Sequence, residues 1–181
     1  SYCDLRIVGP DGADAAPGET GEIVVRGPHI MTGYWNRPED TAAVLRDGWY
    51  HTGDGGYFDA GGYVFLAGRI KDMIITGGEN VYPIEVEDVL AHHPGVAAVA
   101  VIGAPDPVWG EVGMAVCVPN PQSAPSPDDI LAWLSPQVAR YKLPRYVVIW
   151  DALPKSAYGK ITKKMIRDEL LARGQLPDPV A

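Results

Sequence analysis

Cysteine is scarce in this chain: only Cys3 and Cys117 occur among 181 residues. They stand far apart, each in an apolar stretch, which argues against a disulfide framework and a cysteine-based zinc site. Two buried thiols in a reducing, cytoplasmic setting are the expectation. Histidine is also sparse. His92-His93 sits beside Pro94 with no further His or Cys at ligand spacing, so no metal centre is expected there. No apolar run approaches the ~20 residues that span a bilayer, and no signal peptide opens the chain. Positive charge is in deficit, with 15 basic against 23 acidic residues and a net charge of −8. That argues against a general nucleic-acid or anionic-membrane surface, while leaving room for a local cationic pocket. A glycine-rich phosphate loop ending in Lys-Ser or Lys-Thr is missing too.

What is present suffices for a core. The hydrophobic fraction is 46% and the charged fraction 21%, so an ordered chain follows. With 21 glycines and 17 prolines, short elements and many turns are expected. Ser1 to Val8 reads as the middle of a strand followed by a turn at Gly9-Pro10-Asp11-Gly12, so the chain reads as part of something longer. Further strands are expected at Glu22 to Arg26, at Trp49 to Thr52 and at Tyr63 to Leu66, the last two around the turn Asp59-Ala60-Gly61-Gly62. A short helix is expected from Pro38 to Leu45, with proline and acids in its first turn. This part is too small and too rich in strand edges to stand comfortably alone.

From about residue 72 the pattern changes. A strand at Met73 to Thr76 leads into Gly77-Gly78. A helix then runs from Pro83 to about His93, with Val86, Val89, Leu90 and His93 on one face. Val96 to Ile102 and Glu111 to Val118 are nearly all apolar, as strands buried on both faces are. Ser126-Pro127-Asp128-Asp129 is a strong helix start, Tyr146 to Trp150 a strand, and Thr162 the cap of a last helix to about Arg173. The fold class is therefore α+β, with a small antiparallel β piece at residues 1–70, a compact α/β domain with a small sheet flanked by helices at 71–174, and a tail at 175–181.

Three segments carry the chemistry. They are Tyr50-His51-Thr52-Gly53-Asp54, the run Gly68-Arg69-Ile70-Lys71-Asp72 through Gly77-Gly78-Glu79-Asn80, and Pro154-Lys155-Ser156-Ala157-Tyr158-Gly159-Lys160. By themselves they offer a carboxylate, a guanidinium, a glycine pair that backbone or ligand can approach closely, and a lysine on a loop. Each also has a plainer reading: a turn aspartate, a surface arginine, a simple turn, a solvated lysine.

Their order and separation resemble the C-terminal part of the adenylate-forming enzymes, the superfamily of acyl-CoA synthetases, peptide-synthetase adenylation domains and luciferases. The resemblance covers nearly the whole chain. It implies that residues 1–70 are a piece of a distorted barrel from a larger AMP-binding domain, and that the following domain swings. It implies that Asp54 holds the ribose hydroxyls of ATP and that Arg69 contacts the same nucleotide. Lys71 takes the hinge position, where many relatives carry aspartate. Gly77, Gly78 and Glu79 match the ligase form of a loop that borders the pantetheine arm of CoA, and Trp109 matches a tryptophan packing on that arm. Lys142 and Arg145, in a locally basic stretch, fall where relatives contact the nucleotide end of CoA. Lys160 is the implied catalytic residue for adenylation, whereas Lys155, Lys163 and Lys164 read as exposed loop lysines.

The implied reaction has two steps. A carboxylic acid, fatty or aryl, attacks the α-phosphate of ATP with Mg2+, and the CoA thiol then displaces AMP from the acyl-adenylate. The Mg2+ ligands, the triphosphate loop and the acyl pocket would all lie N-terminal to this sequence, so the chain alone is expected to be inert. A non-catalytic module that binds a nucleotide or a carrier protein, and a piece of a peptide-synthetase adenylation domain, remain as other readings.

Overall fold

The computed structural model describes residues 2–178, and the chain folds as two compact units, the first ending at Lys71 and the second beginning at Asp72. In the first, β1 (Asp4–Val8) and β2 (Gly21–Arg26) pair antiparallel, and α1 (Pro38–Val44) leads into the two-residue β3 (Leu45–Arg46). The long β4 (Trp49–Phe58) pairs with β2 on one side and with β3 and β5 (Val64–Arg69) on the other. The result is an all-antiparallel curled sheet. Its apolar interior is thin: among the described residues only Ile7, Val8, Ile23, Val24 and Ala67 are buried hydrophobics. Tyr63, just before β5, and Val64, Phe65 and Leu66 within it lie exposed.

The second unit is better filled. A single 3-10 turn (Ile70–Asp72), which closes the first unit and ends on the first residue of the second, precedes β6 (Ile74–Thr76), which forms a tight hairpin with β7 (Glu79–Val81). Next come α2 (Pro83–Leu90), β8 (Val96–Asp106), β9 (Gly110–Pro119), α3 (Pro127–Leu134), β10 (Tyr146–Ile149) and α4 (Lys163–Ala172). The sheet runs β10-β9-β6-β7 with β8 on β9, and β9–β10 is its one parallel pair among the described residues. Such a pair needs a crossover, and α3 lies within it.

Alternation along β8 and β9 explains both helical layers. Val101, Ala115 and Cys117 enter a cluster with Val86 and Leu90 of α2 and Ile130 and Leu134 of α3. Ala100, Ile102, Met114 and Val116 enter another with Ile166 and Leu170 of α4. The central hairpin is thus buried on both faces, as its apolar run anticipates.

Several details differ from the sequence expectations. Strands β4, β8 and β9 run further than their apolar segments, because backbone pairing does not need an apolar side chain: β8 continues through Pro105 and Asp106 opposite Glu111 and Gly110, and β4 through Gly55 and Gly56 opposite Gly68 and Leu66. Helix α2 stops at Leu90. His93 lies beyond it, buried, with its ring edge against Trp133 and its Nδ1 accepting the Gly95 N–H. Strand β10 ends at Ile149, and Trp150 turns into the α4 side of the core. Cys117 is buried as expected, and burial pushes its thiol up to about 12, but Cys3 is exposed. The expected tail is docked at its start: Gln175 accepts from Trp150 Nε1 at 2.8 Å, and Leu176 packs on the core. Residues 179–181 of that tail lie outside the described residues.

Helix α3 begins with a full capping box. Ser126 Oγ accepts from the Asp129 N–H, and Asp129 Oδ2 accepts from the Ser126 N–H and hydroxyl. The Ser126 hydroxyl, then its N–H, hold the Asp129 carboxyl below its ordinary 3.8. A lowered carboxylate stabilises the fold above its unfolded value and stops doing so as pH falls through the folded one. Ser126→Ala should cost about 1 kcal/mol in urea denaturation at pH 7. The loss should shrink below about pH 4, where Asp129 is protonated in the unfolded chain.

Candidate active-site surfaces

In the first unit, Asp54 lies within β4 rather than in a turn. It stands opposite Arg69 of β5 across the sheet, and Arg69 Nη1 donates to Asp54 Oδ1 at 2.8 Å. Two motifs 15 residues apart thus meet as directly opposed neighbours, which hairpin pairing brings about. Both side chains are part-exposed, so the pair adds little stability. Arg69 engages one carboxylate oxygen, and no partner for the other occurs among the described residues.

Sequence reasoning missed what holds this strand. Thr52 Oγ1 donates to the Ile23 carbonyl at 2.7 Å and accepts the Asp54 N–H at 3.0 Å. Glu22 of β2 accepts the Gly53 N–H at 3.0 Å and meets His51 Nδ1 at 2.8 Å. Gly53 has φ +69°, and a Cβ there would sit 3.3 Å from Arg69 Nη2. Lys71 is exposed within the 3-10 turn at the end of this unit.

In the second unit, Gly77 and Gly78 are the two turn residues of the β6–β7 hairpin, with φ +58° and +91°. That geometry is the mirror-image turn which suits the natural strand twist and favours glycine. Gly77 has a second reason. A Cβ would lie 2.6 Å from the Trp109 ring, and its N–H donates to the Trp109 carbonyl at 3.0 Å. Gly78 faces open space and Glu79 is exposed. The close approach expected of a ligand is thus made at Gly77 by the protein's own indole, whose outer part is exposed.

Trp109 sits in the turn between β8 and β9. Asp106 closes that turn by accepting the N–H groups of Val108 and Trp109, each at 2.9 Å. The Trp109 N–H is the main cause holding the Asp106 carboxyl below its ordinary value. Burial opposes it, and the Val108 N–H and Arg145 charge assist. Arg145 Nη1 lies 2.9 Å from Asp106 Oδ2. Lys142 Nζ donates to Glu85 Oε2 at 2.6 Å. Burial alone would lower the Lys142 ammonium, but the Glu85 hydrogen bond and charge raise it. Both expected phosphate ligands therefore already have carboxylate partners.

Lys160 ends a small turn before α4. Ser156 N–H donates to the Lys160 carbonyl at 2.8 Å, and the Lys160 N–H donates to Ser156 Oγ at 3.1 Å. The backbone is tied down while the side chain is exposed, and no ion pair of its ammonium occurs among the described residues. The neighbouring lysines differ from expectation. Lys163 is the half-buried first residue of α4 and pairs with Glu87, which also accepts the Val101 N–H. Lys164 is helical and pairs with Asp168, one turn on. Only Lys155 is an exposed loop lysine as expected. Among the described residues no cluster of three or more His, Cys, Asp or Glu could hold a metal. No helix among them is long and apolar enough to cross a membrane.

Residues 85–160 match the family of AMP-binding enzyme C-terminal domains. That match lies within the second unit, and the chain's similarity to proteins named as CoA synthases and ligases extends through both units. It is 55% identical to a feruloyl-CoA synthase of Amycolatopsis over 92% of its length, and 51% identical to an indoleacetate–CoA ligase of Aromatoleum aromaticum over 95%. It spans about a third of either relative, 34% in both cases. Among solved structures it superposes on the ATP-bound MatB of Rhodopseudomonas palustris with a TM-score of 0.86. Identity there is 38%, over 94% of this chain and 34% of that one.

The two glycines make separable predictions. Gly78→Ala should cost about 1–2 kcal/mol, the left-handed backbone term alone. Gly77→Ala should cost more, because the indole must also move. Urea melts of the two variants measure this, and equal losses would refute the Trp109 contact.

Proposed function

We propose that this chain is the rotating, CoA-facing portion of an ATP-dependent acid–thiol ligase, which converts a carboxylic acid to its acyl-CoA through an acyl-adenylate. The observation that carries the reading is the Lys160 turn: a pinned backbone bearing an exposed ammonium, within a domain that also presents the Gly77–Trp109 hairpin. A compact, mobile ammonium suits a reaction in which negative charge builds at the α-phosphate and carboxylate. Asp54, with Arg69 on one oxygen, keeps acceptor capacity for the ribose hydroxyls of ATP. The hairpin offers a half-exposed indole and a bare glycine for the thin pantetheine arm of CoA. The two transition states need different groups in one small volume, and a pivot at Lys71, within a single 3-10 turn at an element end, would exchange them. The acid substrate is chosen by residues outside this chain. The named relatives make an aromatic acid panel the first one to try.

The full-length enzyme tests this. Lys160→Ala should reduce ATP–pyrophosphate exchange by on the order of 10²-fold or more. Conversion of supplied acyl-adenylate and CoA to thioester should stay within a few-fold of wild type. Equal loss in both half-reactions would overturn the role given to Lys160, and thioester formed only on an acyl-carrier protein would overturn the CoA assignment. The 181-residue chain alone, the control, should release no pyrophosphate.

A further inference from the structure

Trp109 poses a physical puzzle. Its side chain is 51% exposed, so burial alone does not fix the indole. Yet three separate contacts hold it. Its main-chain N–H goes to Asp106, its main-chain carbonyl takes the Gly77 N–H, and its ring lies 2.6 Å from where a Gly77 Cβ would be. A half-bare indole carried on a backbone that hydrogen bonds pin is a prepared surface. The contact doing most to shape its turn is Asp106, because one carboxylate oxygen closes it through two N–H groups.

The second oxygen of Asp106 is the informative one. Oδ2 is buried and has no hydrogen bond of good geometry, and the side chain is only 1% exposed. A buried carboxylate oxygen left so is costly unless a charge compensates it. Arg145 does so, 2.9 Å away. Arg145 is itself fixed: its N–H donates to the Gly113 carbonyl of β9 at 2.8 Å, and it follows the buried Pro144. Lys142, earlier in the same segment, is taken by Glu85 of α2. Drawing Arg145 away to a phosphate would strand the Asp106 charge.

We propose that Asp106 is a positioning residue for the CoA-facing surface, and that Arg145 serves as its counter-ion rather than as a ligand for a CoA phosphate. The inference rests on the thioester reading above. Asp106 sets the turn, the turn sets Trp109, and Trp109 with Gly77 forms the wall for the pantetheine arm. Small displacements of such a wall weaken the productive seating of the arm and so lower kcat/KM steeply.

The test uses the full-length enzyme with CoA and dephospho-CoA, alongside ATP–pyrophosphate exchange. Asp106→Ala should lower kcat/KM for CoA by on the order of 10- to 100-fold, mainly through KM, with exchange within about 2-fold of wild type. Asp106→Asn, which keeps an acceptor oxygen for both N–H groups, should recover most of that loss. Arg145→Ala should impair CoA and dephospho-CoA alike, leaving their ratio unchanged. Loss of the preference for CoA over dephospho-CoA in Arg145→Ala would make Arg145 a phosphate ligand and overturn the proposal. Equal falls in exchange and thioester formation in Asp106→Ala would reduce Asp106 to a folding role and also overturn it. If the wild-type enzyme exchanges pyrophosphate but uses neither thiol, the thioester reading fails. The clamp is then judged by amide hydrogen exchange. Faster exchange across residues 108–110 and at Gly77 in Asp106→Ala supports it, and unchanged exchange refutes it.

Discussion

Burial of one β-hairpin on both of its faces is the constraint from which the second unit follows. β8 and β9 send alternate residues to opposite sides, so each side needs its own helical cover. α2 and α3 supply one, α4 the other. That assigns the two candidate surfaces to different covers. The Gly77 hairpin leads through β7 into α2, and the Lys160 turn leads into α4. One sheet with a separate loop wired to each helical layer would suit the proposed exchange of two faces. Glu87 ties the layers together, since it takes both the Val101 N–H and the Lys163 ammonium.

The first unit is held by other means. Few apolar residues are buried, and its order comes from a polar lattice around β4. Glu22 and Thr52 hold the backbone at Gly53 and Asp54, and the β4–β5 pairing sets Arg69 against Asp54. An exposed apolar strand such as β5 fits a piece of a larger body. The chain's span of one third of its relatives agrees with that.

Much of this was legible from residues alone because the signals are local. Ser126-Pro127-Asp128-Asp129 states a helix start, Gly77-Gly78 a turn, and the apolar run from Val96 a doubly covered strand; that the Gly77-Gly78 turn closes a hairpin with β7 was not legible, because Glu79–Val81 is too short and too polar to signal a strand. The motif residues were legible only through resemblance. The partners were not legible. Arg145 and Asp106 lie 39 residues apart and Lys163 and Glu87 76 apart, separations that only the folded sheet collapses. Lys163 consequently reads as a loop lysine in the sequence and is a helix-anchored ion pair in the fold. Asp54 misleads in the opposite way: Gly-Asp-Gly suggests a turn, whereas side-chain and strand hydrogen bonds absorb those glycines into β4.

The central claim is that one domain brings two surfaces to one site in sequence, by pivoting at Lys71. Distance measurement by double electron–electron resonance, in the full-length enzyme, addresses it most directly. One spin label would replace exposed Glu39 in the first unit and another exposed Asp168 on α4. A non-hydrolysable acyl-adenylate mimic alone should give one distance distribution, and the same mimic with CoA a second, clearly shifted one. A single distribution common to both states would contradict the account.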